Sequence, residues 1–505
     1  MASKVFNSPL PDVDIPDVAI TEFVLQQSAR LADKNAIIDG PSGKGYTYEQ
    51  LRSRIHRLAG GLQAQGIKRG DVVGLLAANS PDYAVAFHAV AVCGGTVTTI
   101  NPAYAAEEIQ QQLKNSGACL LIADNACLEV AVEASRGTGS KELITVHPNE
   151  GHRSLDDLLG DEIEQVDVNI REDVVVLPYS SGTTGLPKGV MLSHHNLVSN
   201  LVQINAALGY EEDESALAVL PFFHIYGMQI LMGSLLAEGM TIVTMPRFDM
   251  EQTLQLIQEH RITQYFAVPP IVLGLAKTPL LDQYDVSSLR KIFSGAAPLG
   301  GELAEVASGR VGCPIVQGYG MTEMSPVSHI TPGYKSRAGS SGVTVANTQA
   351  RIVDADGKDL GADEEGELLV KGPQVMLGYL NNDKATRETI DEDGWLHTGD
   401  VARIDSDGYM SIVDRVKELI KYKGFQVAPA ELEALIATHA SVLDVAVIGM
   451  PDEEAGELPK AFVVLKPDTG QETHSTTGAE DIRAFVKPHV AGYKQIHDVE
   501  FVDTI

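Results

Sequence analysis

Through the first 330 residues, short apolar runs alternate with helical patterns, and this rhythm constrains the fold more than any other feature. Between residues 34 and 146 the strand-like runs are NAIID, DVVGLLA, TVTTI, CLLIAD and ELITVH. A T-x-x-Q capping box at Thr47 and Gln50 opens a helix that ends near Gly66. Pro81 starts a second helix, and a third begins near Ala105. Strands and helices spaced in this way predict βαβ units on a largely parallel sheet.

A second pass of the same kind follows. It predicts helices over 193–208, through 231–237 and over 249–260, the last capped by Asp249, with a strand at MTIVTM. YFAVPP, RKIFSGAAPLG and PIVQGYGMTE then each read as a strand running into a Gly- or Pro-rich loop. In α/β sheets, ligands bind beyond the carboxyl ends of strands, so these loops are candidates for a site. After Gly333 the texture changes to short strands and tight turns (ARIVDADGKDL, EGELLVKG, YMSIVDR), a small β subdomain. From Val416 onward a compact α+β pattern takes over. It has helices near 429–439 and 479–490 and strands at DVAVIGM and KAFVVLK. The expected class is α/β: a large N-terminal domain over 1–414 with parallel-rich sheets and a small β subdomain, then a small α+β C-terminal domain over 415–505.

A chain of 505 residues can bury large cores in two to four domains. Lys plus Arg number 38 against 68 Asp plus Glu, a net charge of −30. Such an acidic chain is a poor partner for nucleic acid or an anionic membrane, although it can bind phosphate where cations are concentrated locally. Cys93, Cys119, Cys127 and Cys313 form neither a C-x-x-C pair nor a zinc spacing, and are read as buried reduced thiols. The N-terminus lacks the apolar core of a secretory signal, and no run of 18 apolar residues spans a membrane; a cytoplasmic location is expected.

The densest chemistry lies at residues 179–190, YSSGTTGLPKGV, after the strand-like run at 173–177. Ser180, Ser181, Thr183 and Thr184 offer hydroxyls, Gly182, Gly185 and Gly189 let backbone N–H groups converge, and Lys188 adds a compact positive charge. That combination suits a polyphosphate. It is not a Walker A loop, because Lys188 stands between Pro187 and Gly189 rather than in Gly-Lys-Ser/Thr. A long polar turn is the plainer alternative.

Four further stretches stand out. QGYGMTE at 317–323 follows a strand; Tyr319 can stack on a base while Glu323 holds a hard cation such as Mg²⁺, or the stretch is a turn with a buried tyrosine. His224 lies in PFFHIYG, where a lone histidine is most often a satisfied core residue. GWLHTGD at 394–400 carries the chain's single tryptophan and ends at Asp400, which suits either ribose hydroxyls or a capped turn. DRVKELIKYKGFQ at 414–426 gathers Arg415, Lys417, Lys421 and Lys423 beside Gly424, either a solvated face or a seat for an anion.

Taken together, SSGTTGLPKG, QGYGMTE, GWLHTGD and DRVKELIKYKGFQVAPAELE, in this order and spacing, resemble the adenylate-forming superfamily of acyl-CoA synthetases, luciferases and nonribosomal adenylation domains. PFFHIYGM, VPPIV, SGAAPLG and MTEMSPV are most similar to bacterial 4-coumarate/cinnamate-CoA ligases. The resemblance runs from about residue 20 to the end. It implies ATP-dependent activation of a carboxylic acid to acyl-AMP and transfer to coenzyme A, with ATP, Mg²⁺ and coenzyme A as the small-molecule partners. A phenylpropanoid-like aromatic acid is expected. A medium-chain fatty acid, an amide-forming or luciferase-like acceptor chemistry, and a non-catalytic nucleotide-binding role stay open as alternatives. The chain is expected to act as a monomer or homodimer.

By the same resemblance, Ser180 to Lys188 would hold the β- and γ-phosphates, with Mg²⁺ between them and Glu323, and Thr322 would touch the α-phosphate. Tyr319 and Ile412 would sandwich the adenine, Asp400 and Arg415 would hold the ribose, and Ala296, Gln317, Gly318 and Gly320 would also bind the ATP or AMP. His224 is upgraded to a group beside the acyl carboxylate. Tyr226, Met228, Ile230, Gly295, Ala296, Gly320, Pro326 and Val327 would line the acyl pocket. The C-terminal domain is expected to be mobile, rotating at a hinge on Lys417. That motion would bring Lys421, the coenzyme A segment Lys423, Gly424 and Phe425, and nearby Gln426 to the thioester step. Two departures are visible. Phe293 stands where plant members commonly carry a lysine, so a preference for a 4-hydroxyl group does not carry over. The sequence also stops at Ile505, where the family's P-x-x-x-x-G-K-like segment begins. The chain as given is therefore expected to be slow in adenylation yet able to convert supplied acyl-AMP to thioester.

Overall fold

The computed structural model describes residues 4–180, 187–333, 337, 339–415, 420–422, 425–427, 429–452, 455–466, 478–490 and 492–505. The chain forms two compact units. The larger comprises Asn7–Gln349 and Lys371–Leu396; the smaller comprises Met1–Phe6, Ala350–Val370 and His397–Ile505.

The larger unit carries two sheets. In one, Val72–Leu76 sits between Thr96–Ile100 and Leu120–Ala123, with Leu143–Thr145 and Val174–Val176 beyond, all parallel. Lys188–Ser193 and then Gly378–Tyr379 extend its edge antiparallel. In the other, Asn35–Asp39, Thr241–Thr244, Ser215–Ala218, Gln264–Ala267, Lys291–Ser294 and Ile315–Gly320 run parallel in that spatial order. Parallel strands are covered on both faces, and all five residues of Thr96–Ile100 are buried accordingly. The helix Pro81–Val92 is the extreme case, with all twelve residues buried. An element apolar all round belongs inside a core, and its one acid, Asp82, is neutralised there by Arg54 (Nε to Oδ1, 3.1 Å) and the Tyr46 hydroxyl (2.8 Å).

The predicted local signals are present. Thr47 and Gln50 form the reciprocal cap of Tyr48–Ala64, Ser80 and Pro81 open the next helix, and Asp249 caps Met250–His260 through the Gln252 N–H at 2.8 Å. Two local details are added. The strand expected at 173–177 forms over Val174–Val176, and at the described ends of the 179–190 stretch Tyr179–Ser180 and Lys188–Ser193 pair antiparallel, with Ser180 opposite Lys188. The strand expected before QGYGMTE runs on through Gly320.

In the smaller unit, Gln349–Val353, Glu365–Lys371, Leu396–Ile404 and Tyr409–Arg415 lie side by side in one sheet. A second sheet holds the hairpin of Ile420–Tyr422 with Phe425–Val427, the long antiparallel pair Val442–Asp452 and Gly456–Leu465, and Asp498–Phe501 parallel to the latter. Its apolar face meets Pro429–Ala437 and Ala479–Val486 around Ile420, Leu432, Ile436, Val447, Val463 and Ile482. Cys93, Cys127 and Cys313 are buried free thiols, while Cys119 is only half-buried. Among the described residues, no helix is long and apolar enough to cross a membrane.

Candidate active site

Glu323 occupies a single 3-10 turn, Thr322–Met324, immediately after the strand Ile315–Gly320. That strand can turn sharply because Gly320 has no side chain: a Cβ there would fall 2.2 Å from the Pro326 carbonyl oxygen. Glu323 is only 4% exposed, so its charge needs partners. The Ser180 hydroxyl donates to Oε1 at 2.9 Å and the Tyr379 hydroxyl donates to the same oxygen at 2.8 Å. Lys188 Nζ stands over the Tyr379 ring, 4.9 Å from its centroid. One carboxylate, two hydroxyls and one ammonium thus meet where the paired strands at Ser180 and Lys188 face a strand terminus. Among the described residues, no group of three or more His, Cys, Asp or Glu forms a self-sufficient metal cage. A carboxylate whose Oε2 has no bond among the described residues suits instead a hard cation that takes most of its ligands from phosphate and water, as Mg²⁺ does.

A second cluster gathers around Tyr226. It begins the π-helical stretch Tyr226–Ser234, a winding that recurs at functional sites. Its buried hydroxyl donates to the Phe293 carbonyl at 3.3 Å, and its ring meets that of Phe293 edge-on at 6.4 Å. Gly295 lies against the ring: a Cβ there would be 3.1 Å from Tyr226 Cε1. Ala296 follows with φ +71°, left-handed backbone that costs a non-glycine residue about 1 kcal/mol or more. Gln317, on the neighbouring strand, steadies the loop by exchanging two 3.2 Å bonds with the Leu299 backbone. Met228 and Ile230 are buried in the π-helical stretch, and Val327 is buried just after Pro326.

His224 is not the core histidine that its apolar run suggests. Its imidazole reaches solvent yet is enclosed by protein on most sides, and the lost hydration lowers its basicity. Nδ1 accepts the Tyr226 N–H at 3.2 Å, so the neutral ring carries its proton on Nε2 and can donate there. Tyr319 is half-buried, its ring tilted against His329 at 6.2 Å. Gly318 pairs with Ile330 in the ladder, and Thr322 is half-buried beside Glu323.

In the smaller unit, Asp400 lies within the strand Leu396–Ile404 rather than in a turn. Its N–H donates to Thr398 Oγ1 at 3.1 Å, and the preceding Gly399 adopts φ +72° and donates to Glu367 Oε1. Asp400 pairs with Arg415 and Ala402 with Ile412 across the antiparallel ladder. Lys421 pairs with Gln426, and Phe425 with Tyr422, in the hairpin. Ser181, Gly182, Thr183, Thr184, Gly185, Lys417, Lys423 and Gly424 lie outside the described residues.

Three contributors escape sequence reasoning. Tyr379 sits in a nondescript VMLGYLNN, with no local signal of its role. Asn200 clamps Val327 through both backbone groups (3.0 and 2.8 Å), and Gln229 bonds the carbonyls of Leu197 and Ser325. Gln229 has a readable signal, since it interrupts an apolar helical run, whereas Asn200 is one of a row of amides with Asn196 and Gln203. A cavity of about 200 Å³ near Leu62, Cys119, Lys141 and Arg153 contains none of the motif residues; its Arg153 is already satisfied by Glu142 and Gln65.

The family model for AMP-binding enzymes matches residues 24–380, and that for the AMP-binding enzyme C-terminal domain matches residues 431–505. 4-Coumarate–CoA ligase 5 of Oryza sativa subsp. japonica is 41% identical, over 99% of this chain and 94% of its own length. 4-Coumarate–CoA ligase 1 of Petroselinum crispum is 42% identical, with the same coverage. Among solved structures, the anthranilate CoA ligase AuaEII in complex with anthranoyl-AMP superposes with a TM-score of 0.89 at 28% identity, covering 98% of this chain and 95% of that one. ATP-bound MatB from Rhodopseudomonas palustris gives 0.86 at 28% identity, covering 96% and 95%. With a matched model over most of its length and relatives aligned end to end, the chain belongs to the AMP-binding, adenylate-forming enzymes.

Proposed function

We propose that the chain is an acid–thiol ligase of the 4-coumarate–CoA ligase type, acting on a cinnamate- or 4-coumarate-like aromatic acid. The observation that carries this reading is the near-complete alignment, at about 40% identity, with enzymes named for that reaction. In the first half-reaction a carboxylate oxygen attacks the α-phosphorus of ATP and pyrophosphate leaves, giving acyl-AMP. In the second, the coenzyme A thiolate attacks the acyl carbon and AMP leaves.

The chain's own groups fit the first half by charge. Lys188 would hold the β- and γ-phosphates, together with Ser180 and the loop hydroxyls Ser181, Thr183 and Thr184. Glu323 would hold Mg²⁺, which would supply neutralisation of the charge that builds on the departing pyrophosphate. Thr322 would donate to the α-phosphate, and neutral His224 would present Nε2–H to the acid's carboxylate, orienting it without adding charge. Tyr226, Met228, Ile230, Gly295 and Val327 would desolvate the acyl tail.

From the smaller unit, Asp400, Ile412 and Arg415 are assigned to the nucleoside. Lys421, Lys423, Gly424, Phe425 and Gln426 are assigned to thioester formation. Residues 1–414 and 415–505 would act as the functional halves, hinged at Lys417. The same reading puts the enzyme in the cytoplasm, where ATP and coenzyme A are at hand. The test is a panel of cinnamate, 4-coumarate, benzoate and octanoate assayed with ATP, Mg²⁺ and coenzyme A. Aromatic propenoates should lead by kcat/KM; a clear lead for octanoate, or AMP release that ignores coenzyme A, would overturn the assignment.

A further inference from the structure

We propose that Tyr379 is a positioning residue for ATP binding, holding Glu323 through its hydroxyl and Lys188 through its ring face. The inference rests on the reading that Glu323 takes Mg²⁺ and Lys188 takes phosphate. Chain topology delivers the contact: Tyr379 stands directly opposite Val190 in an antiparallel pair, and the Leu380 N–H donates to the Gly189 carbonyl at 2.8 Å. Tyr379 is therefore locked to the same strand that carries Lys188.

The two contacts do different things. At 5% exposure the phenol must find a partner for its O–H, and it finds Glu323 Oε1 at 2.8 Å. With Ser180 donating to the same oxygen at 2.9 Å, both lone pairs of Oε1 are engaged, and among the described residues none bonds Oε2, which keeps its own for a cation. The ring face, 4.9 Å from Lys188 Nζ, gives the ammonium an attractive seat that does not consume its charge, as an ion pair with a carboxylate would. A phosphate can then displace this weak contact without first breaking a salt bridge.

Two variants separate the roles. Tyr379→Phe keeps the ring and removes the hydroxyl; Tyr379→Leu removes both. ATP is titrated calorimetrically into the full chain over a series of Mg²⁺ concentrations with no acid present, and thermal unfolding without ligand is followed in parallel. Tyr379→Phe should raise the Mg²⁺ concentration for half-maximal ATP binding about tenfold, the scale of one hydrogen bond to a charged group, and leave metal-free ATP affinity unchanged. Tyr379→Leu should add a loss of about two- to fivefold in metal-free ATP affinity. Wild-type Mg²⁺ response in Tyr379→Phe, or losses in both variants that merely follow a lowered unfolding temperature, would overturn the proposal. Glu323→Gln is the control: it should abolish the Mg²⁺ response. A normal response in that variant would sink the metal assignment itself, whereas a lost response there with a normal one in Tyr379→Phe sinks only the role of Tyr379.

Discussion

Within the larger unit, the Glu323 cluster and the Tyr226 cluster solve opposite electrostatic problems. Around Glu323 the side chains are charged and interlocked, with carboxylate, ammonium, serine and phenol each within reach of another. Around Tyr226 they are apolar, and His224, which faces solvent there, has its basicity lowered by its enclosure. The contrast follows from the ligands proposed for each. A polyanion needs fixed cations and a metal carboxylate; an aromatic tail needs a dry wall and a neutral donor for its carboxylate. If this division holds, changes at one cluster should leave the other's substrate untouched.

The largest expected effect is at Glu323. Glu323→Gln should cut ATP–pyrophosphate exchange about 10²- to 10³-fold, the scale of losing one preorganised electrostatic group, while the KM for acid holds. An equal loss in the conversion of supplied acyl-AMP to thioester would break the division.

Acid comes next. His88, His329 and His194 are buried, with pKa values pushed down by burial to about 3, about 3 and about 4. Above about pH 6.5, the ordinary histidine value, neither the folded nor the unfolded state carries these protons and they cost nothing. Below it the unfolded chain binds protons that the folded chain refuses, so stability falls as pH falls, by about 2 kcal/mol per histidine at pH 5. The unfolding midpoint followed from pH 8 to 5 should show this slope, and His88→Gln should flatten it. An unchanged slope in that variant would mean that His88, whose Nε2 is buried without a partner among the described residues, is not excluding the proton.

His224→Ala should lower kcat/KM for the acid about tenfold with little change in the KM for ATP, since it removes one hydrogen bond to a carboxylate. A comparable rise in the KM for ATP would show that the two clusters are coupled. The smallest effect is expected of Gly295→Ala. Its Cβ would press on the Tyr226 ring at 3.1 Å, raising KM about three- to fivefold for cinnamate and less for the shorter benzoate. Equal effects on both acids would place Gly295 away from the acyl tail.

Much of the scaffold is legible because its causes are local. The Thr47–Gln50 box, Pro81 and the Asp249 cap act within one helical turn, and buried parallel strands announce themselves as unbroken apolar runs. The residue types of the site are legible for a similar reason: glycine, hydroxyl and lysine crowd into ten positions, and a carboxylate follows a glycine-rich strand. Partnership is less so. Asn200 and Gln229 could have been flagged as buried amides, but the carbonyls of Val327 and Ser325 that they bind lie about a hundred residues away.

By itself, then, the sequence determined the strand–helix rhythm, the ordered motifs and, through them, the family and its ATP chemistry. Those properties depend on residue type and on spacings of a few positions. Only the tertiary structure decided that Ser180 stands opposite Lys188, that His224 faces solvent with Nε2 as donor, and that Tyr379 joins Glu323 to Lys188. Each depends on a contact between segments that the chain brings together only when its sheets form. A strand register fixed by burial across nearly two hundred residues, as between Val190 and Tyr379, leaves no trace in either segment alone.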